Sequence, residues 1–197
     1  MTGSKPHVVA LCGSLRSGSH TRTALQHVLD AATAAGATTD LVDLHTLDLS
    51  VFDAGSQDAG DAAELRRRVG AAEAIALGTP VYHGSYSSPL KTAIDYCGFD
   101  EFEGKTVGLL AVSGGASSYP GALSHLRMVA QSLHAWVLPH QVGIGAAGEV
   151  FDETGEFHDE YADIARRTTT LGREAVSYAR IVPGETSTRP VTVSGND

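Results

Sequence analysis

The chain has 197 residues, 42% of them apolar, and carries 23 acidic against 14 basic side chains, a net charge of −9. That length suits one domain with one sizeable core. The acidic balance disfavours nucleic acid as a partner, and no apolar run approaches the length of a membrane-spanning helix.

The short polar stretch Met1–Pro6 leads straight into an apolar run and does not read as a secretory signal, so a cytoplasmic address is expected. His7–Cys12 (HVVALC) predicts a strand buried on both faces. Thr21–Ala35 places Ala24, Leu25, Val28, Leu29 and Ala32 at helical spacing, with Gly36 as the stop signal. Thr38–Asp43 reads as a second strand. Ala62–Ala72 reads as an arginine- and alanine-rich helix. Ala74–Gly78 predicts a third strand halted by Pro80, and Pro89–Cys97 a short helix with proline near its start.

Thr106–Val112 is the fourth predicted strand, Ala122–His134 a helix, and Trp136–Ile144 a fifth strand interrupted by Pro139. Asp159–Ile181 closes the domain as a helix, which bounds it at residues 1–182. Residues 183–197, rich in Pro, Gly, Ser and Thr, read as a loose tail. Strand and helix alternate five times, which predicts an α/β fold: a five-stranded parallel sheet with helices on both faces. Ligands of such sheets sit at the carboxyl ends of the strands. Cys12 and Cys97 make neither a disulfide framework nor a metal motif, and the nine histidines show no metal-holding spacing, so no metal site is expected.

The loop after the first strand, Gly13-Ser14-Leu15-Arg16-Ser17-Gly18-Ser19-His20-Thr21, combines two glycines, several hydroxyls, one arginine and the start of a helix. Main-chain N–H groups and the positive end of the helix suit a phosphate. Ser19 also fits a plain helix cap. A nucleotide-hydrolysing loop is excluded because Ser19 and His20 occupy the places of its lysine and hydroxyl residue. The dinucleotide fingerprint fails at Leu15.

The segment TPVYHGSYSSPLKTAIDY after the third strand, together with GSLRSGS in the first loop, resembles the NADPH-dependent FMN reductase family, the flavodoxin-like quinone, azo and chromate reductases. The likeness runs from about His7 to about Leu138. It implies a flavodoxin-like fold, FMN as cofactor, and NADPH or NADH as electron donor. It further implies that Ser14, Leu15, Arg16, Ser19, His20 and Thr21 hold the FMN phosphate, Thr21 standing where relatives commonly carry asparagine. Pro80, Val81, Tyr82, His83, Gly84 and Ser85 would follow the flavin ring, with Val81 and His83 replacing the glutamate and asparagine of many relatives. Ser113, Gly114, Gly115, Ser118 and Tyr119 match a weaker third turn, where Ser118 and Tyr119 replace a glycine pair.

The activity so implied is ping-pong, two-electron hydride reduction of quinones, flavins, azo compounds or similar small-molecule acceptors, in a homodimer or homotetramer. The competing reading is a flavodoxin-type electron carrier without nicotinamide turnover. Neither a membrane nor nucleic acid enters as a partner, and no side chain is assigned a catalytic role. Lys91 and Asp95, four apart on a helix, read as a surface pair or as subunit-contact residues.

Overall fold

The structure is a computed structural model and describes residues 5–181. The tail expected at 183–197 lies outside the described residues. Strands β1 (His7–Cys12), β2 (Thr38–Asp43), β3 (Ala74–Pro80), β4 (Thr106–Val112) and β5 (Trp136–Ile144) pair in parallel in the order β2-β1-β3-β4-β5. This is the strand order of flavodoxin-like folds, whose direction reverses between β1 and β3.

The helices are α1 (His20–Ala34), α2 (Ala62–Gly70), α3 (Ser88–Tyr96), α4 (Phe99–Phe102), α5 (Tyr119–Ser132), α6 (Ala147–Val150) and α7 (Ala162–Ala179). Strand side chains alternate between two cores, as the pleat requires. Val8, Ala10, Leu110 and Val112 pack with α1 and α7, while Val9, Leu11, Ile75 and Leu109 pack with α2, α3 and α5. Among the described residues no helix is long and apolar enough to cross a membrane.

Several boundaries differ from the expectation, and prolines are read differently in the fold. β3 runs on through Thr79 and Pro80, paired with Ala111 and Val112, because a terminal strand residue needs no N–H of its own. Pro139 does not end β5. The register jumps there, Val107 opposing Val137 but Leu109 opposing Gln141, so the strand bulges and continues. Pro120 lies in the first turn of α5, which starts at Tyr119 rather than Ala122. Residues 159–161 form a 3-10 turn, so the closing helix begins only at Ala162. The one-turn helices α4 and α6 were not foreseen.

Arginines reach the sheet margins. Arg68 of α2 binds Asp40 through two nitrogens, at 2.8 and 2.6 Å, and also donates to the Leu41 carbonyl of β2 at 2.9 Å. On β5 the carbonyls of Leu138 and Gln141 accept from Arg127 of α5 and Arg167 of α7. The hydrogen-bonded Arg68 guanidinium holds the Asp40 carboxyl below its ordinary value. A depressed carboxyl stabilises the fold above its unfolded pKa of about 3.9, and that contribution fades as pH falls through the lower folded value. Asp40→Asn is therefore expected to cost about 1 kcal/mol at neutral pH, the scale of a partly exposed pair. In denaturant titrations its deficit against wild type should shrink below about pH 4; a deficit constant down to pH 2 would show that charge is not its cause.

Candidate functional site

The chain leaves β1 at Gly13, which is locked to the neighbouring strand. Its N–H donates to the Gly78 carbonyl at 2.8 Å, and its carbonyl accepts the Ser87 hydroxyl at 2.7 Å. A Cβ at Gly13 would lie 2.7 Å from Leu90 Cβ and 2.8 Å from Ser87 Oγ, so only glycine permits this approach. Beyond it, Ser14 is buried and its hydroxyl oxygen accepts the Arg16 N–H at 3.4 Å. Ser19 caps α1, accepting the Arg22 N–H at 3.2 Å, and its hydroxyl proton remains available to a ligand.

The N–H groups of Leu15, Ser17, Gly18, Ser19, His20 and Thr21 have no partner among the described residues. They belong to one loop and one helix start, where an anion is the natural acceptor. Arg16 is exposed and its guanidinium makes no bond within the described residues. Thr21 is buried. The His20 ring stacks on Phe151 at 5.7 Å, so His20 offers the loop its main chain rather than its side chain.

Cys12, directly before the loop, is buried, and burial pushes its thiol up; Cys97 is pushed to about 12 by the same cause. Both thiols stay neutral at ordinary pH, and neither is an activated nucleophile.

The loop after β3 forms a tight hairpin. Tyr82 and Ser85 exchange both main-chain hydrogen bonds at 3.0 Å, across His83 (φ 51°) and Gly84 (φ 77°). Two successive residues in the left-handed region define a two-residue turn that matches the twist of its arms. The hairpin rests on α5. A Cβ at Gly121 would fall 2.4 Å from the Gly84 carbonyl oxygen, and Ser85 Oγ lies 2.9 Å from His125 Nδ1. Tyr82, His83 and Gly84 are exposed at its tip. Pro80 is half-buried, and the half-buried Val81 packs on the core and donates its N–H to Val112. Lys91 and Asp95 pair at 2.6 Å on α3.

After β4, Ser113 is buried and its hydroxyl donates to the Gly115 carbonyl at 2.6 Å, which curls the turn. Gly114, Gly115 and Ser118 are exposed. Tyr119 is half-buried, and its ring lies over Gly143, where a Cβ would come within 2.0 Å of it. The three loops thus line the carboxyl margin of adjacent strands, with His20 and Tyr119 turned to packing.

Sequence reasoning missed Arg22. Its Nε bonds Asp43 at 2.6 Å, its Nη1 bonds the Ser17 carbonyl at 2.8 Å, and its Nη2 is buried without a partner among the described residues. The signal was available: Arg22 stands three residues after the cap, and Asp43 ends the strand beside β1.

The family model for NADPH-dependent FMN reductases matches residues 6–149. The chain belongs to that family. FMN-dependent NADPH-azoreductases of Staphylococcus aureus are 37% identical over 123 residues, covering 62% of this chain and 64% of theirs. The match thus spans slightly less than two thirds of those relatives. Two solved structures share the fold at 20% identity and a TM-score of 0.72. They are an oxidoreductase of Corynebacterium diphtheriae (91% of this chain, 99% of that one) and an NAD(P)H:(acceptor) oxidoreductase of Paracoccus denitrificans (90% and 98%). An archaeal flavodoxin matches at a TM-score of 0.59 and 14% identity, covering 88% of this chain and 99% of that one, so the architecture of this FMN reductase family member is flavodoxin-like.

Proposed function

We propose that the chain is an FMN-dependent NAD(P)H oxidoreductase that carries out two-electron reduction of quinones, flavins, azo compounds or similar small acceptors. The observation that carries this reading is the first loop: six main-chain N–H groups and the Arg16 guanidinium without partners among the described residues, next to the start of α1. That donor set fits a phosphate dianion, and no carboxylate intrudes on the loop sequence. Bound FMN would supply two-electron chemistry between a nicotinamide donor and the acceptor.

The protein's part is to bind and orient. Ser14, Arg16, Ser19 and Thr21, with the main chain of Leu15 and His20, would hold the phosphate. The turn from Tyr82 to Ser85 offers exposed main chain and an exposed ring to the flavin, with Pro80 and Val81 leading into it. Ser113, Gly114, Gly115 and Ser118 would border the ligand from the third loop. Leu15 and Tyr82, each 51% exposed, present apolar surface of the kind a planar ring system covers.

The test is ligand discrimination followed by turnover. The protein should bind FMN more tightly than riboflavin, and Arg16→Ala should weaken FMN by about 1.5–3 kcal/mol, the worth of a hydrogen bond to a charged group. Equal titration curves for FMN and riboflavin would overturn the phosphate site. Steady NADPH consumption with menadione under air is expected; reduction without turnover would identify an electron carrier instead.

A further inference from the structure

Arg22 occupies the first turn of α1, and its fork joins two other elements. Nε donates to Asp43 Oδ2 at 2.6 Å, and Nη1 donates to the Ser17 carbonyl at 2.8 Å. Asp43 is itself held fast. It ends β2 in register with Cys12 of β1, and its Oδ1 accepts the His45 N–H at 3.1 Å. The side chains of Arg22 and Asp43 are only 24% and 15% exposed, so water screens the pair weakly. Arg22 is therefore a strut from the rigid end of β2 to the middle of the first loop.

A trans peptide points its C=O and N–H in opposite directions. All peptide bonds among the described residues are trans, so fixing the Ser17 carbonyl on Arg22 turns the Gly18 N–H away from Arg22. That N–H has no partner among the described residues. A cation on the carbonyl also polarises the peptide and strengthens its N–H as a donor. The remaining Nη2 is buried and has no hydrogen-bond partner among the described residues.

We infer that Arg22 is a positioning residue for phosphate recognition, one that aims and polarises the Ser17–Gly18 peptide toward the anion. The inference rests on the reading that the first loop takes the FMN phosphate. It separates the roles of two arginines: Arg16 is exposed and able to reach the ligand, while Arg22 acts through the loop's main chain.

The experiment measures dissociation constants of FMN and riboflavin on the apoprotein, with inorganic phosphate as competitor. Arg22→Gln is expected to reduce the preference for FMN by about tenfold or more, to leave riboflavin within a factor of about two, and to weaken competition by phosphate. Arg22→Lys, which keeps charge but lacks the fork, should fall with it. Asp43→Asn still offers an oxygen to Nε and should keep the preference; Asp43→Ala releases the strut and should lose it. Should Arg22→Gln not fold, as judged by circular dichroism, the contrast between the two Asp43 variants carries the same test.

A wild-type preference for FMN that survives Arg22→Gln overturns this inference alone, as does an equal loss of both ligands. A wild-type protein without that preference overturns the phosphate reading together with it.

Discussion

Phe102→Ala is expected to destabilise the protein by about 3–5 kcal/mol, the cost of emptying a fully buried aromatic site. Phe102 is among the largest side chains with no exposure, and it lies in the same core as Leu65 and Val69 of α2 and Val107 of β4. The core around it is close-packed, so the cavity term adds to the lost burial. For a chain of this size each kcal/mol lowers the melting temperature by about 2–4 °C. Denaturant unfolding should show a lower midpoint at unchanged slope, and Phe102→Leu should recover all but about 1.5 kcal/mol. Phe102 precedes β4, at the opposite end of that strand from the third loop. FMN affinity of the folded variant should therefore stay within a factor of about two. A loss below 1 kcal/mol would mean that α4 is not part of the cooperative core.

Gly13→Val should strike the site itself. Its new side chain would meet Leu90 Cβ at 2.7 Å, Ser87 Oγ at 2.8 Å and the Gly78 carbonyl at 3.1 Å, none of them the loose end of a long side chain. The first loop would have to lift from β3, at about 1–3 kcal/mol of stability for overpacking. The cradle would move with it. FMN affinity is expected to fall on the order of 100-fold, the loss of one or two hydrogen bonds to a charged group. Isothermal titration would settle it: near-normal FMN binding would show that the first and second loops do not act as one site.

Much of the fold was legible because buried parallel strands leave a strong mark. HVVALC, TTDLVD, TVGLLAV and the span Trp136–Ile144 appear as strands at the predicted limits. Proline accounts for two of the misplaced ends. Pro80 was read as a terminator, yet Pro80 and Pro120 sit where the missing N–H is not needed, and Pro139, read as an interruption, sits in a bulge at a sheet margin. The one-turn helices α4 and α6 are too short for any period to register, and their residues are placed by tertiary packing.

In the site, the loops were legible as compositions of glycine and hydroxyl, and the structure brings them to one margin of the sheet. What composition could not reveal was the direction of individual side chains. His20 turns to Phe151, Tyr119 covers Gly143, and Arg22, inside a helix, reaches back to Ser17. Each depends on a neighbour distant in sequence or across a turn, and local pattern does not carry that information.

The arginines at the two outer strands bear on how the protein keeps to itself at high concentration. A bare strand edge is a template onto which a second chain can add its own backbone and begin a fibre. Here the Leu41 carbonyl of β2 and the Leu138 and Gln141 carbonyls of β5 already hold guanidinium groups, and Pro139 has no N–H to offer a newcomer. An added strand would have to displace charged donors before forming its first rungs. Stripping Arg68, Arg127 and Arg167 together would thus open both flanks to strand addition, and cross-β aggregation would become the chain's characteristic failure.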